Sequence, residues 1–128
     1  MSLPRVLIID DDSLFTDLLV RTMVDVYEVK TASDVWLGVE LLDSFKPVAI
    51  VLDVLMPAAS GLSFLQEIAS YADTSRVPVL ICSSIASQLN LEYLQEFGVR
   101  RLLDKSTMQP SDVAHYLAEA LAGDVANG

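Results

Sequence analysis

Five short runs rich in valine, isoleucine and leucine divide the chain, and an amphipathic segment follows each of them. The runs cover residues 5–9, 27–31, 48–52, 77–82 and 100–103. The third and fourth runs are largely apolar instead of alternating, which is typical of parallel strands that helices cover on both faces. Five repeats of strand and helix within 128 residues predict one α/β domain: a doubly wound, five-stranded parallel sheet in a three-layer sandwich.

The ends of the intervening segments carry residues that favour helix starts and stops. We expect Asp12 to cap the first helix and Ser33 to cap the second, because short polar side chains accept hydrogen bonds from exposed helical N–H groups. The third helix is predicted to begin near Gly61, with Leu62, Leu65 and Ile68 facing inward. The fourth is predicted to end at Gly98, since glycine readily adopts the left-handed conformation of a helix C-cap.

Composition excludes several classes of function. The net charge is −10, and the eight basic residues form no cluster of the kind that contacts a phosphate backbone, so direct nucleic-acid binding is not expected. No apolar run approaches the roughly 18 residues that a membrane helix needs, and the first residues show no secretory signal pattern. A single cysteine, Cys82, reads as a small buried hydrophobe. We therefore expect a cytoplasmic domain over residues 1–122 and a disordered tail over 123–128.

Polar side chains stand where the central strands are predicted to end. They are Asp10 and Asp11 after the first strand, Asp53 after the third, Ser83 and Ser84 after the fourth, and Asp104 and Lys105 after the fifth. In doubly wound sheets the binding site lies beyond the carboxyl ends of the strands, so these side chains should converge.

The three carboxylates of Asp10, Asp11 and Asp53 would repel one another without a cation. Mg²⁺ suits them because it prefers oxygen ligands. A carboxylate can also attack phosphorus and form an acyl phosphate, while an ammonium and a hydroxyl stabilise the charge on the transferring oxygens. The strand ends therefore predict a magnesium-dependent phosphoryl-transfer site.

The same residues resemble the receiver domain of two-component response regulators, and the resemblance covers essentially the whole chain. The acidic pair of that family is matched by Asp10 and Asp11, its phosphoacceptor by Asp53, its switch residue by Ser83 and its lysine by Lys105. The phosphoacceptor signature reads Asp53-Val54-Leu55-Met56-Pro57, with Gly61 four positions beyond.

The resemblance implies the flavodoxin-like (βα)5 fold with strand order 2-1-3-4-5. It also implies transfer of a phosphoryl group to Asp53 from a histidine kinase or a histidine phosphotransfer protein. Mg²⁺ would be held by Asp10, Asp11, Asp53 and the backbone carbonyl of Leu55. Lys105 would contact the phosphoryl group, and Ser83 would move toward it.

The chain departs from the family pattern near the fifth strand. Leu102 stands where the family usually has a mobile tyrosine or phenylalanine, and Ser106 stands where proline usually follows the lysine. The peptide bond before Ser106 should therefore be trans or strained. Leu102 and Leu91 are candidates for an apolar patch that contacts a partner.

Two other functions use a similar fold or similar residues. A pseudo-receiver would keep the fold as a docking module without phosphorylation, but its usual sign is loss of an acid or of the lysine, and both are retained here. An aspartate-nucleophile phosphatase of the haloacid dehalogenase type would place a second acid two residues after Asp53, where this chain has Leu55.

Overall fold

The computed structural model describes residues 2–55, 61–71, 74 and 76–127, without the side chains of 123–127. Strands and helices alternate along this part of the chain. Their bounds are β1 Arg5–Ile9, α1 Ser13–Met23, β2 Glu28–Ala32, α2 Val35–Ser44, β3 Ala49–Leu52, α3 Gly61–Ala69, β4 Val79–Ser83, α4 Leu91–Leu94, β5 Val99–Asp104 and α5 Pro110–Asn127. The fourth helix is a single turn, and 3₁₀ turns at Ala86–Gln88 and Gln95–Phe97 flank it.

All strand pairs are parallel, and the sheet has the order β2-β1-β3-β4-β5. This confirms the predicted fold and strand order. Strand β1 has the predicted bounds, and the other strands differ from prediction by one or two residues at their ends. In the central pair, Ile9 stands opposite Leu52, so β1 and β3 end at the same level of the sheet.

Both faces of the sheet are buried, which explains why its central strands are uninterrupted apolar runs. Successive residues of a strand point to opposite faces, and each set enters its own core. One core lies under α2, α3 and α4 and includes Leu7, Ile9, Ile50, Leu52, Leu65 and Ile68. The other lies under α1 and α5 and includes Val6, Ile8, Leu19, Leu80, Cys82 and Leu117.

Cys82 is fully buried in the second core, as its sequence context predicted. Burial raises the pKa of its thiol to about 12. A thiol that stays protonated is a poor nucleophile and a poor metal ligand, so Cys82 serves as core packing.

The helix ends match the sequence predictions except at the start of α2, and α3 begins at Gly61 as predicted. The Asp12 carboxylate accepts a hydrogen bond from Phe15 N–H and caps α1, and Gly98 is left-handed at φ 88°. The prediction of Ser33 as the cap of α2 is wrong, because the Asp34 carboxylate accepts from Leu37 N–H at 2.8 Å. The inward placement of Leu62 is also wrong: α3 buries Gly61, Phe64, Leu65 and Ile68, and this stripe leaves Leu62 exposed.

Helix α5 is assigned through Asn127. The predicted division into a domain at residues 1–122 and a disordered tail at 123–128 stays a prediction. Among the described residues, no helix combines the length and apolarity that crossing a bilayer requires.

Gly61 begins α3 at a point where the helix touches the end of β3. Its N–H donates to the carbonyl of Val54 at 3.3 Å. A Cβ atom at this position would lie 2.6 Å from Val54 Cα and 2.9 Å from the carbonyl oxygen of Asp53. Both neighbours are backbone atoms and cannot rotate away, so the absence of a side chain allows α3 to start here.

We expect Gly61→Ala to lower the free energy of unfolding by about 2 kcal/mol, because overpacking against backbone outweighs the better helix propensity of alanine. Urea denaturation monitored by circular dichroism measures this change. Ser63→Ala, at an exposed position of the same helix, is the control and should stay within about 0.5 kcal/mol of wild type. Equal stability of the two variants would contradict the steric argument.

Candidate functional site

Asp10 and Asp53 extend from the adjacent ends of β1 and β3, and the sheet fixes their backbones. Asp10 N–H donates to Ala32 O at 2.9 Å, and Asp53 N–H donates to Ile9 O at 3.0 Å. These bonds continue the parallel ladders one residue past each strand. Asp10 is 4% exposed and Asp53 is 5% exposed, so two carboxylates lie side by side away from solvent.

Lys105, directly after β5, supplies the positive charge that these carboxylates require. Its Nζ lies 2.7 Å from Asp10 Oδ2 and 2.9 Å from Asp53 Oδ2. The lysine backbone N–H donates to Ser83 O at 3.3 Å, which holds the residue against the end of β4. One ammonium group thus pairs with both buried acids.

The second oxygen of each acid accepts a hydrogen bond from a nearby backbone N–H. Asp10 Oδ1 accepts from Asp12 N–H, and Asp53 Oδ1 accepts from Leu55 N–H, each at 2.9 Å. Within the described part of the chain, every buried side-chain nitrogen or oxygen has a hydrogen-bond partner. Such satisfaction offsets part of the cost of burying charge.

The pKa shifts at this site result from a balance between burial and pairing. Burial raises the pKa of Asp10 by more than Lys105 and the Asp12 N–H lower it, so the net pKa lies above its ordinary value. For Lys105, burial lowers the pKa, but the hydrogen bonds and attraction from Asp10 and Asp53 together exceed that effect, and the net pKa is raised. The lysine therefore remains cationic at neutral pH.

Asp11 completes a cluster that fits a hard divalent cation. Carboxylate oxygens of Asp10, Asp11 and Asp53 all lie within 4.8 Å of one another, and Asp11 is exposed to solvent. Three carboxylates against one ammonium leave an excess of negative charge, and every ligand atom offered is an oxygen. This donor set is the one that Mg²⁺ prefers, and its exposed side leaves room for the waters that Mg²⁺ retains.

A family model described as the response regulator receiver domain matches residues 6–117. The chain belongs to the response regulator receiver family. Receiver domains are signalling domains that accept phosphoryl groups, and are not stand-alone catalytic enzymes.

Curated relatives carry this domain within longer chains. A protein-glutamate methylesterase/protein-glutamine glutaminase of Bdellovibrio bacteriovorus is 32% identical over 122 residues, covering 91% of this chain but 34% of that protein. The DNA-binding dual master transcriptional regulator RpaA of Synechocystis is also 32% identical and matches over 94% of this chain and 48% of its own length. The chain thus spans about a third to a half of these relatives.

Solved structures show the same fold. A CheY-like receiver domain protein of Methanospirillum hungatei superposes with a TM-score of 0.86 at 22% identity, covering 99% of this chain and 100% of that one. Chemotaxis response regulator CheY4 of Vibrio cholerae gives a TM-score of 0.79 at 24% identity, with 93% and 99% covered.

The two serines at the end of β4, Ser83 and Ser84, differ in their burial. Ser83 is fully buried, and its Oγ accepts a hydrogen bond from Ile85 N–H at 3.3 Å. Ser84 is exposed. No described hydrogen bond joins Ser83 to Asp53, so the role of Ser83 as a switch stays a prediction. Asp104 turns toward Ser106 instead, and hydrogen bonds from that residue lower its pKa.

The two departures from the receiver pattern have local consequences. The peptide bond before Ser106 is trans, which is one of the two predicted outcomes. Ser106 N–H donates a hydrogen bond to Asp104 Oδ1 at 2.9 Å, which proline could not do because it has no N–H. Leu102 and Leu91 are both half-buried and pack against the core under α2–α4, so their role in a partner face stays a prediction. Met56 and Pro57 of the phosphoacceptor signature lie outside the described residues.

Sequence reasoning missed one contact of this receiver site. The ring of Phe15, in the first turn of α1, lies 4.5 Å from Lys105 Nζ. The ring face attracts the ammonium group electrostatically and shields it from part of the surrounding water. Phe15 and Lys105 are 90 positions apart in the chain, so only the folded structure shows this contact.

The raised pKa of Asp10 predicts how stability changes with pH. A carboxyl group whose pKa is higher in the folded state stabilises the fold fully below its unfolded value of 3.8, and that stabilisation is lost as the pH rises through the folded pKa. Asp10→Asn removes the buried charge. In metal-free buffer we therefore expect the variant to be more stable than wild type at neutral pH.

Urea denaturation from about pH 4 to about pH 8 tests this expectation. The stability gap between Asp10→Asn and wild type should widen as the pH rises and then level off. Asp11→Asn makes the same chemical change at an exposed carboxylate and should give only a small gap. If Asp10→Asn is less stable than wild type at neutral pH, the prediction is contradicted.

Proposed function

We propose that this receiver domain is a cytoplasmic signalling switch that accepts a phosphoryl group on Asp53 from a histidine kinase or a histidine phosphotransfer protein. The supporting observation is the Lys105 ammonium held between the buried carboxylates of Asp10 and Asp53, beside the exposed carboxylate of Asp11. In this proposal, Asp53 is the nucleophile, Lys105 is the cation for the transferring oxygens, and the three acids at this edge of the sheet are the metal ligands.

Phosphoryl transfer needs one bond to form and one to break. A carboxylate oxygen of Asp53 forms a bond to phosphorus while the bond from phosphorus to the donor imidazole nitrogen breaks. The imidazole keeps the electron pair of the broken bond and takes a proton from solvent. Lys105, 2.9 Å from Asp53, is placed to neutralise the charge that accumulates on the phosphoryl oxygens.

Asp10, Asp11, Asp53 and the backbone carbonyl of Leu55 are the residues that would hold Mg²⁺. When bound, the ion would supply further positive charge for the phosphoryl oxygens. Lys105 and the Leu55 N–H orient Asp53 before any donor arrives, because each contacts one of its two carboxylate oxygens.

Ser83 is the proposed link to the output. Its hydroxyl is buried at the end of β4, and its oxygen accepts from Ile85 N–H. The hydroxyl proton can therefore be donated to a phosphoryl oxygen on Asp53. Movement of Ser83 would carry the change toward the segment after β4, which leads to α4 and a downstream protein partner.

Asp53→Asn tests the proposal directly. Incubation of wild type with Mg²⁺ and acetyl phosphate should add one phosphoryl group to the intact mass, and hydroxylamine should remove it, as expected for an acyl phosphate. The variant should show no such addition, because an amide is not nucleophilic enough to attack phosphorus.

Asp12→Asn is the matched control, since Asp12 is exposed and asparagine caps helices as well as aspartate does. It should be phosphorylated like wild type. Phosphorylation of Asp53→Asn, or of wild type after removal of divalent ions with a chelator, would contradict the proposal.

The lifetime of the phosphoryl group gives a further prediction. Leu55, two positions after Asp53, is exposed, and Ile85, two positions after Ser83, is half-buried. Apolar side chains here would exclude an attacking water and offer it no hydrogen bond. We expect Leu55→Asn and Ile85→Glu to speed loss of the acyl phosphate at least about fivefold, with Leu55→Met unchanged. Decay of the phosphorylated mass over time measures the rate, and equal lifetimes would count against this role.

A further inference from the structure

Helix α2 is apolar on nearly all sides, although only one side faces the core. Its buried residues are Val35, Gly38 and Leu42. On the outer side, Trp36 is 67% exposed, and Leu37 and Val39 are each 38% exposed. A surface helix of a globular domain normally carries polar residues on its solvent side. Exposed apolar surface that includes tryptophan is characteristic of protein contact sites.

A groove runs between α2 and the end of α3 next to this surface. It has a volume of about 230 Å³, and its described lining consists of Val39, Leu42, Asp43, Glu67, Tyr71 and Thr74. We name it the α2–α3 groove. Tyr71, on the α3 side, is 52% exposed. Val39, Leu42 and Tyr71 give the groove an apolar part. Trp36 stands one helical turn before Val39 on the same stripe of α2, which extends this apolar surface along the helix.

The charge of the α2–α3 groove is negative. Asp43 and Glu67 are both exposed, and the groove's described lining includes no basic side chain. The Tyr71 hydroxyl donates to Glu67 Oε1 at 3.0 Å, which holds this carboxylate at the groove. Among the residues that the structure describes, no ion pair involves Asp43 or Glu67. Two uncompensated carboxylates beside apolar surface attract a cationic, amphipathic ligand.

We propose that the α2–α3 groove docks a segment of a partner protein that inserts a bulky apolar side chain and places lysine or arginine beside Asp43 and Glu67. The volume of the groove suits one such side chain. A second copy of this chain is a poor occupant, because the net charge of −10 makes two copies repel each other. The groove includes none of the proposed phosphoryl-transfer residues, so this docking is a separate function.

The only tryptophan of the chain gives a direct measurement, since Trp36 lies one helical turn before Val39, which lines the groove. The probe is a short amphipathic helical peptide of leucine and lysine, and the matched peptide has glutamate in place of lysine. We expect the lysine peptide to shift Trp36 emission to shorter wavelength in a saturable manner. The glutamate peptide should produce no shift, because it would bring like charges together.

Charge-neutral variants locate the binding. The double variant Asp43→Asn with Glu67→Gln should weaken peptide binding about tenfold, as expected when two interface charges are lost. Asp25→Asn with Glu96→Gln changes the net charge equally at exposed positions outside the groove lining and should weaken it less than about twofold. All four positions are exposed, so the fold should persist, and equal melting temperatures check this.

Several results would overturn the docking proposal. One is an equal loss of affinity in both double variants, which would indicate general attraction to an acidic protein. Another is binding without a Trp36 shift. A third is a Trp36 shift that depends on protein concentration together with a dimer mass in sedimentation, which would identify a second copy as the occupant. Asp53→Asn should bind the peptide like wild type, so failure of docking and failure of phosphorylation are distinguishable.

Discussion

The ammonium group of Lys105 between Asp10 and Asp53 is the interaction on which the rest of the site depends. Two carboxylates at 4% and 5% exposure would each cost several kcal/mol if left unpaired. One cation at 2.7 and 2.9 Å reduces this cost for both. In the sheet order β1-β3-β4-β5, the lysine must reach across the end of β4, about two strand spacings or roughly 10 Å from β5 to β3. A long, flexible side chain is therefore required at this position. Arginine would not be equivalent, because its guanidinium group is planar and larger than the compact ammonium group of lysine.

The same pairing explains why the site is ready to bind further positive charge. Lys105 neutralises one of three nearby carboxylates, and burial still raises the pKa of Asp10 despite the lysine. Burial thus disfavours the ionised form of Asp10, and a further cation beside it would offset part of that cost. Backbone N–H groups of Asp12 and Leu55 hold the remaining oxygens of Asp10 and Asp53. Asp11 is the exposed member of the three acids.

Much of the fold and of the acidic site could be predicted from the sequence, because in a parallel sheet the residues that follow the strands all lie at the same edge. Apolar runs buried on both faces predicted the strands, and the residues after them had to meet at one edge. Predictions failed where neighbouring residues compete for one role. Ser33 and Asp34 are adjacent and both are good helix caps, and only the carboxylate of Asp34 reaches Leu37 N–H. Leu62 and Leu65 both fit an apolar stripe, and the contact of Gly61 with the end of β3 decides which of them is buried. The contact of Phe15 with Lys105 joins elements far apart in the chain, and no local pattern encodes it.

The position of α3 would allow the two proposed partners, the phosphoryl donor and the docked segment, to bind at separate places. The helix begins at Gly61, whose N–H binds Val54 O next to Asp53, and the α2–α3 groove uses Glu67 and Tyr71 near its other end. At 1.5 Å per residue, the six residues from Gly61 to Glu67 separate the two ends by about 9 Å along the axis. Asp53 lies next to the start of α3, and the groove opens beside the last turn of this helix. A segment docked in the groove would therefore leave Asp53 accessible. A phosphoryl donor would approach the edge of the sheet at Asp53, whereas a docked segment would approach the helices at the α2–α3 groove. The two partners would therefore not overlap sterically.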